Sequence, residues 1–275
     1  MTVVDAALVA KQQALTELLT GMGGVVVAYS GGVDSTYLAW AAHETLGDDA
    51  LAVTAVSPSL ARRQRAAAES VARRHGWNHV VVETSEIERE EYARNDPDRC
   101  YWCKTELFQI LEPVAAERRA AIAVGTNADD LTDIRPGHRA AREHEVRAPL
   151  VEVGLSKQEV RALSRAAGLE TADMPASPCL ASRFAYGVRV TAAGLGRIDE
   201  AEEVVRGLGF EVLRVRDHGD LARIEVPAAD IERAAALKDE IARELARLGY
   251  LYVTLDLAGF RSGSMNEVLR PPKIR

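Results

Sequence analysis

The sequence predicts an α/β protein: a doubly wound, mostly parallel sheet followed by a small α+β domain. Three observations predict it. Short, wholly apolar runs recur, as in strands buried on both faces of a parallel sheet. Amphipathic or charged helical segments alternate with them in units of about 25–40 residues. After residue 185 the pattern changes to helix, strand, turn, strand, helix, strand. The expected division is therefore a sheet domain over 1–185 and a smaller domain over 186–275.

Residues 5–20 carry Leu8, Leu15, Leu18 and Leu19 at helical spacing, and Gly21 closes the run. Val25-Val-Val-Ala28 is the first buried strand, followed by SGGVDS and a helix over 35–46. A second strand covers 51–56, a charged helix 62–75 and a third strand 79–83. A helix over 105–119 leads to the strand Ala121-Ile-Ala-Val124, which ends in GTNADD. The Pro-containing stretch ADMPASPCLASRF marks the domain boundary. Beyond it a helix over 194–207 precedes strands at 211–216 and 222–226, which flank the turn-like DHGD. A helix over 230–248, a strand over 250–255 and a tail, GSMNEVLRPPKIR, complete the chain.

Composition narrows the function classes. Thirty-four basic against 41 acidic side chains leave a formal charge of −7, a poor basis for broad nucleic-acid binding. Nothing resembles a signal peptide or an apolar run of about 18 residues, so a cytoplasmic protein without membrane contact is expected. Three cysteines in 275 residues are too few for a disulfide framework and suggest metal or sulfur chemistry.

The strongest motif is AYSGGVDSTYLAW, residues 28–40, between a buried strand and a helix. Ser30, Gly31 and Gly32 lack bulk, so the backbone can turn sharply and aim successive N–H groups at one anion, with the helix N-terminus behind them. Ser30 and Ser35 add hydroxyl donors, whereas Asp34 would repel a phosphate and suits a role through Mg²⁺ or in ordering the loop. The Walker lysine and the dinucleotide fingerprint are both missing. The motif resembles the PP-loop of the N-type ATP pyrophosphatases, which split ATP between its α and β phosphates. A second loop, Gly125, Thr126, Asn127, Asp129 and Asp130, follows another strand at the sheet edge where ligands of open sheets bind. Thr54 and Ser57, at the end of the second strand, are expected near the nucleoside.

Cys100-Tyr-Trp-Cys103 is a chelating pair, and Cys179 lies in SPCLASR. Three thiolates fall one short of a closed zinc site. On a 4Fe–4S cluster they leave one iron open to a ligand such as hydrosulfide. A redox pair, buried apolar cysteines or bound Zn²⁺ are the other readings.

Together AYSGGVDSTYLAW, DRCYWCKTELF, VGTNADD, SPCLASRF and RVRDHGDLARIEV resemble the LarE family over residues 10–265. These are ATP-dependent sulfur transferases that build the nickel-pincer nucleotide of lactate racemase. The resemblance implies adenylylation of a carboxylate of pyridinium-3,5-biscarboxylic acid mononucleotide, release of pyrophosphate, and displacement of AMP by sulfur to give a thiocarboxylate. It implies ATP, Mg²⁺ and a 4Fe–4S cluster as cofactors. Cys179 matches the sulfur-bearing cysteine, and Cys100 and Cys103 match the extra pair of cluster-bearing members. That pair departs from members in which a single cysteine is sacrificed.

Arg183, Arg214 and Arg216 suit the substrate's phosphate and carboxylates, because guanidinium binds both bidentately. Arg214 and Arg216 alternate on a strand and share a face. By resemblance Glu200, Glu202, Glu203 and Asp230 are candidates for a metal or inter-subunit site. A homo-oligomer built from trimers, a sulfur donor and a downstream nickel-insertion protein are further implied. A tRNA-thiolating PP-loop enzyme, an ammonia-using amide-forming pyrophosphatase and a non-enzymatic nucleotide-binding module are the alternatives.

Overall fold

The computed structural model describes residues 6–132, 136–175 and 177–261; the expected tail at 263–275 lies outside them. Along the chain the α-helices are α1 (Ala6–Met22), α2 (Val33–Leu46), α3 (Arg62–Arg74), α4 (Glu90–Ala93), α5 (Arg99–Arg118), α6 (Pro136–Glu143), α7 (Pro149–Glu152), α8 (Lys157–Ala166), α9 (Ala192–Gly207), α10 (Ile231–Ala236) and α11 (Lys238–Arg247). The strands are β1 (Val25–Ala28), β2 (Ala50–Val56), β3 (His79–Glu83), β4 (Ala121–Val124), β5 (Arg214–Asp217), β6 (Leu221–Glu225) and β7 (Tyr252–Leu255). No described helix is long and apolar enough to cross a membrane.

The chain divides into two compact units. The first holds residues up to Arg89 and Asp98–Ser177; the second holds Glu90–Pro97 and everything from Pro178. The short return of 90–97 to the second unit has no counterpart in the sequence pattern. It is fixed by Asn95, whose side-chain amide donates to the carbonyls of Ala185 (2.8 Å) and Val188 (3.1 Å), and by the Val190 N–H to Ala93 C=O bond of 2.8 Å.

In the first unit four parallel strands run in the order β3-β2-β1-β4. Period-two alternation sends neighbouring side chains to opposite faces. Val25, Val27, Ala50 and Ala52 pack with α1, α2, α3 and α8, while Val26, Leu51 and Val53 pack with α5 and α6. Covering both faces is what makes VVVA apolar throughout. β1 and β4 end together, with Ala28 paired to Val124. β2 and β3 lie on one side of β1 and β4 on the other, so the strand order reverses between β1 and β4, where open sheets bind ligands.

The second unit has a three-stranded sheet in the order β5-β6-β7, antiparallel at the hairpin and parallel between β6 and β7. The DHGD segment makes the hairpin: Gly219 takes φ +84°, and its N–H bonds the Asp217 carboxylate at 2.7 Å. Packing of α9 and α11 over Val215, Ala222, Ile224 and Val226 closes its core.

Two local expectations need correction. The helix read as starting at residue 105 begins at Arg99, so α5 carries Cys100 and Cys103 near its N-terminus, after the N-cap Asp98. The single helix over 230–248 is two helices, because at Leu237 the N–H is shared between the Arg233 and Ala234 carbonyls and the helical ladder restarts at Lys238.

Candidate functional site

The first site residues sit where β1 opens into α2. Gly31 takes φ +75°, and a Cβ there would meet the Ala68 Cβ at 2.8 Å, so both conformation and space require glycine. Gly32 is the N-cap of α2 and its carbonyl accepts the Thr36 N–H at 2.9 Å. Ser30 and Ser35 close the loop on itself. Their hydroxyls are 3.1 Å apart, the Ser30 N–H donates to Ser35 Oγ at 3.2 Å, and Ser35 Oγ donates to the Gly32 carbonyl at 3.1 Å. Gln64 of α3 ties the loop from outside, donating to the Ser30 carbonyl at 3.1 Å. The result is a short backbone arc that ends on a helix N-terminus, the geometry that receives phosphate.

The β4 loop is pressed against this arc. A Cβ on Gly125 would lie 2.6 Å from the Ser35 N and 2.8 Å from the Asp34 C, both backbone atoms that cannot move aside. Asn127, 3% exposed, donates through Nδ2 to Asp34 Oδ1 at 3.3 Å. Its N–H bonds Asp130 Oδ2 at 3.2 Å, and its Oδ1 receives the Asp129 N–H at 3.0 Å. The structure therefore brings together Ser30, Gly31, Gly32, Asp34, Ser35, Gly125, Asn127, Asp129 and Asp130. Thr126 lies within the same loop.

Asp34 also meets a residue that the sequence reading did not select. Lys157 Nζ, from the start of α8, stands 2.5 Å from Asp34 Oδ2. Only the pairing of folded segments reveals it, since 123 residues separate the two.

Thr54 Oγ1 donates to the Tyr29 carbonyl at 3.0 Å and lies 2.8 Å from His79 Nε2. Its hydroxyl supports the turn into the loop. Ser57 Oγ donates to Glu86 at 2.5 Å and accepts the Ser59 N–H at 3.1 Å. Burial holds His79 below its ordinary range, partly offset by Glu69, and pushes the Tyr29 hydroxyl up to about 12. A cavity of about 390 Å³ on this flank is lined by Glu69, Arg73, Trp77, His79 and Val81. Trp77 and His79 of its lining also pack edge-on against Tyr29, the residue before the loop, with ring centroids 5.6 and 5.7 Å away.

Cys100 and Cys103, three residues apart in the first turn of α5, share one side of that helix. Cys100 is exposed, Cys103 half-buried, and none of the three cysteines is in a disulfide. As a two-thiol chelate the pair fits a metal in kind and spacing. The third thiol, Cys179, belongs to the second unit. Among the described residues no three His, Cys, Asp or Glu side chains are grouped as a metal site.

In the second unit Cys179 caps the 3₁₀ turn 180–183. Its carbonyl accepts from Ser182 Oγ (2.8 Å) and from Arg183 Nη1 (3.1 Å). Arg183, 2% exposed, forks onto the Glu202 carboxylate at 2.9 and 3.2 Å. Arg216 Nη2 meets Glu225 Oε2 at 2.7 Å, and its Nη1 donates to the Ser182 carbonyl at 3.0 Å. Arg214 is buried above the Phe260 ring, 5.1 Å from its centroid. Burial, then the Arg183 guanidinium, push Arg214 down to about 10.

Arg183 thus lies on the Cys179 carbonyl and Arg216 on the Ser182 carbonyl, and the carboxylates of Glu202 and Glu225 hold these two arginines. Glu200 and Glu203 are exposed on α9, and Asp230 pairs with Arg233 at 3.3 Å. Glu202, by contrast, is committed to Arg183 and to the Val215 N–H at 3.2 Å.

No family model matches the chain. Relatives do. An uncharacterized protein of Synechocystis is 42% identical over 262 residues, covering 94% of this chain and 98% of its own. The pyridinium-3,5-bisthiocarboxylic acid mononucleotide synthase of Lactiplantibacillus plantarum is 38% identical over 266 residues, 96% of each chain. An uncharacterized protein of Methanocaldococcus jannaschii is 29% identical over 86% of this chain and 91% of its own. Likeness of this extent to the Lactiplantibacillus synthase, on a sheet with the expected parallel order, shows that the chain belongs to the LarE family.

Proposed function

We propose that the protein is an ATP-dependent sulfurtransferase. On this reading it converts a carboxylate of pyridinium-3,5-biscarboxylic acid mononucleotide to a thiocarboxylate in nickel-pincer nucleotide synthesis. The observation that carries the reading is the meeting of the two glycine-bearing loops at the strand-order reversal. A Cβ on Gly125 would meet the Ser35 backbone N at 2.6 Å, so the Ser30–Ser35 arc and the loop that carries Asn127, Asp129 and Asp130 are pressed together.

The chemistry follows from what each group can do. The arc's N–H groups and the α2 N-terminus hold the β and γ phosphates as a leaving group. Asp34 and the carboxylates of the second loop suit Mg²⁺, which neutralises phosphate charge. A substrate carboxylate oxygen attacks the α phosphorus, the bond to the β-phosphate oxygen breaks, and pyrophosphate leaves. A sulfur nucleophile then adds to the acyl carbon and AMP departs with the activated oxygen. Arg183, Arg214 and Arg216 orient the anionic substrate. Cys179, whose carbonyl is bonded by Arg183, stands at the sulfur-delivering position. With Cys100 and Cys103 as further ligands, a bound 4Fe–4S cluster would supply an iron position open to sulfide.

The test is direct. Protein, ATP, Mg²⁺ and the dicarboxylate nucleotide should yield AMP and pyrophosphate, and Asp34→Ala should abolish both. An unchanged rate in that variant overturns Asp34's role, and no nucleotide-dependent AMP from the native protein overturns the activity. Cys179→Ala should retain AMP formation and lose the thiocarboxylate. Anaerobically prepared protein should contain iron and sulfide; a preparation that stays iron-free after reconstitution overturns the cluster.

A further inference from the structure

No step of the proposed reaction uses the hollow of about 390 Å³ between α3 and β3. Its volume falls within the roughly 300–1,000 Å³ of small-molecule sites. It lies at the edge of the parallel sheet, where β3 is the outermost strand.

Its walls differ in kind. Trp77, 7% exposed, and Val81, 38% exposed, supply apolar surface. His79 stands two residues before Val81, so both side chains share one face of β3. Burial holds the His79 ring below its ordinary range, and its Nε2 lies 2.8 Å from Thr54 Oγ1, so at neutral pH the ring adds no charge.

The charge comes from α3. Glu69 and Arg73 are four residues apart on one face of that helix, about 5–6 Å between Cβ atoms. A glutamate four residues before a basic side chain is the order that favours a helical ion pair. Glu69 instead turns the other way and bonds Arg65 Nε at 2.7 Å. That bond holds the Glu69 carboxyl below its ordinary range, so it stays ionised. The Arg73 guanidinium has no ion pair among the described residues. The cavity is therefore lined by a carboxylate and a guanidinium one helical turn apart, not joined to each other, beside an apolar wall.

A ligand that satisfies all three features carries an ammonium and a carboxylate on one carbon, together with an apolar group. A simple carboxylate would meet Arg73 but be repelled by Glu69, and a simple amine would meet the reverse. We propose that this cavity binds a free apolar α-amino acid, with its carboxylate on Arg73, its ammonium on Glu69 and its side chain against Trp77 and Val81. The site is distinct from the SGGVDS loop, and its occupancy does not depend on that loop taking ATP.

Titration calorimetry of the full chain without nucleotide tests it, with L-phenylalanine and L-leucine as probes. Glycine, 3-phenylpropionate and phenethylamine serve as controls, because each lacks one of the three recognised groups. At least one probe should bind saturably, and every control at least tenfold more weakly. Arg73→Gln and Glu69→Gln should each weaken the probe at least fivefold, and Arg73→Lys should recover most of the affinity. Both side chains reach solvent, so the ligand-free melting temperatures of these variants should stay within about 2 °C of native. Absence of saturable binding by both probes, a control that binds as well as the probe, or native affinity in both glutamine variants would each overturn the proposal.

Discussion

The Ser30–Ser35 loop of the first unit and the arginine cluster of the second are built in opposite ways. The arc is made of backbone. Its key positions are glycines and serines, and its geometry is secured by close approach of main chain to main chain. The cluster is made of long charged side chains taken out of water, with Arg183 on Glu202 and Arg216 on Glu225. The arc is held by short hydroxyl and amide contacts from Ser30, Ser35 and Gln64, whereas Arg183 and Arg216 are held by buried carboxylates. In the arc the expected structural lesion is added volume, and in the cluster it is a lost charge.

That contrast makes predictions of graded size. The largest is in the cluster. Arg183→Ala strands the buried Glu202 carboxylate and should destabilise the second unit by about 3–5 kcal/mol, seen as an earlier denaturation midpoint. Replacing both partners, Arg183→Met with Glu202→Leu, should recover most of it. If the double variant is as unstable as the single, the cost is lost packing rather than a stranded charge.

In the arc the corresponding lesion is volume. Gly125→Ala pushes a methyl into the Ser35 and Asp34 backbone and should cost about 1–3 kcal/mol, with loss of ATP affinity. Native-like affinity in that variant would show that the two loops separate easily.

A smaller effect is pH dependence in the first unit. Burial holds His79 below its ordinary 6.5, so the fold favours the neutral ring. Above pH 6.5 this contribution is fully present. As the pH falls below 6.5 the unfolded chain takes up its proton first, and stability is lost until the folded pKa is passed. Glu69 and Arg73 face the ring's surroundings with opposite signs. His79→Asn should therefore flatten the stability profile between pH 7 and 5, and an unchanged slope would assign the slope to other groups.

The smallest effect is the reference. Arg65→Ala removes an exposed i,i+4 pair with Glu69 on α3 and should change stability by about 0.3–0.5 kcal/mol. A larger loss would mean that α3 supports the arc more strongly than Gln64 alone suggests.

Much of the fold was legible because its causes are local. VVVA and ALAVTAV are apolar because both faces of a parallel sheet are covered, and SGGVDS is small because a backbone arc admits no bulk. The helix carrying the C-x-x-C pair was harder, since NDPDR reads as a turn and gives no sign that helix starts within it. Lys157 lies 123 residues from Asp34, and no periodicity links two such positions. The return of 90–97 to the second unit is held by the Asn95 amide and the Val190 N–H to Ala93 carbonyl bond, equally invisible in a sequence pattern.

The sequence by itself determined the parallel sheet, the position of the SGGVDS loop after β1 and the alternation of Arg214 with Arg216. Each depends on the spacing and size of neighbouring residues. Only the tertiary structure decided which charges meet. Lys157 finds Asp34, Arg183 finds Glu202 and Arg216 finds Glu225 because packed strands and helices bring distant segments within hydrogen-bond reach. Charge pairing depends on distance in space, which the order of residues along the chain does not encode.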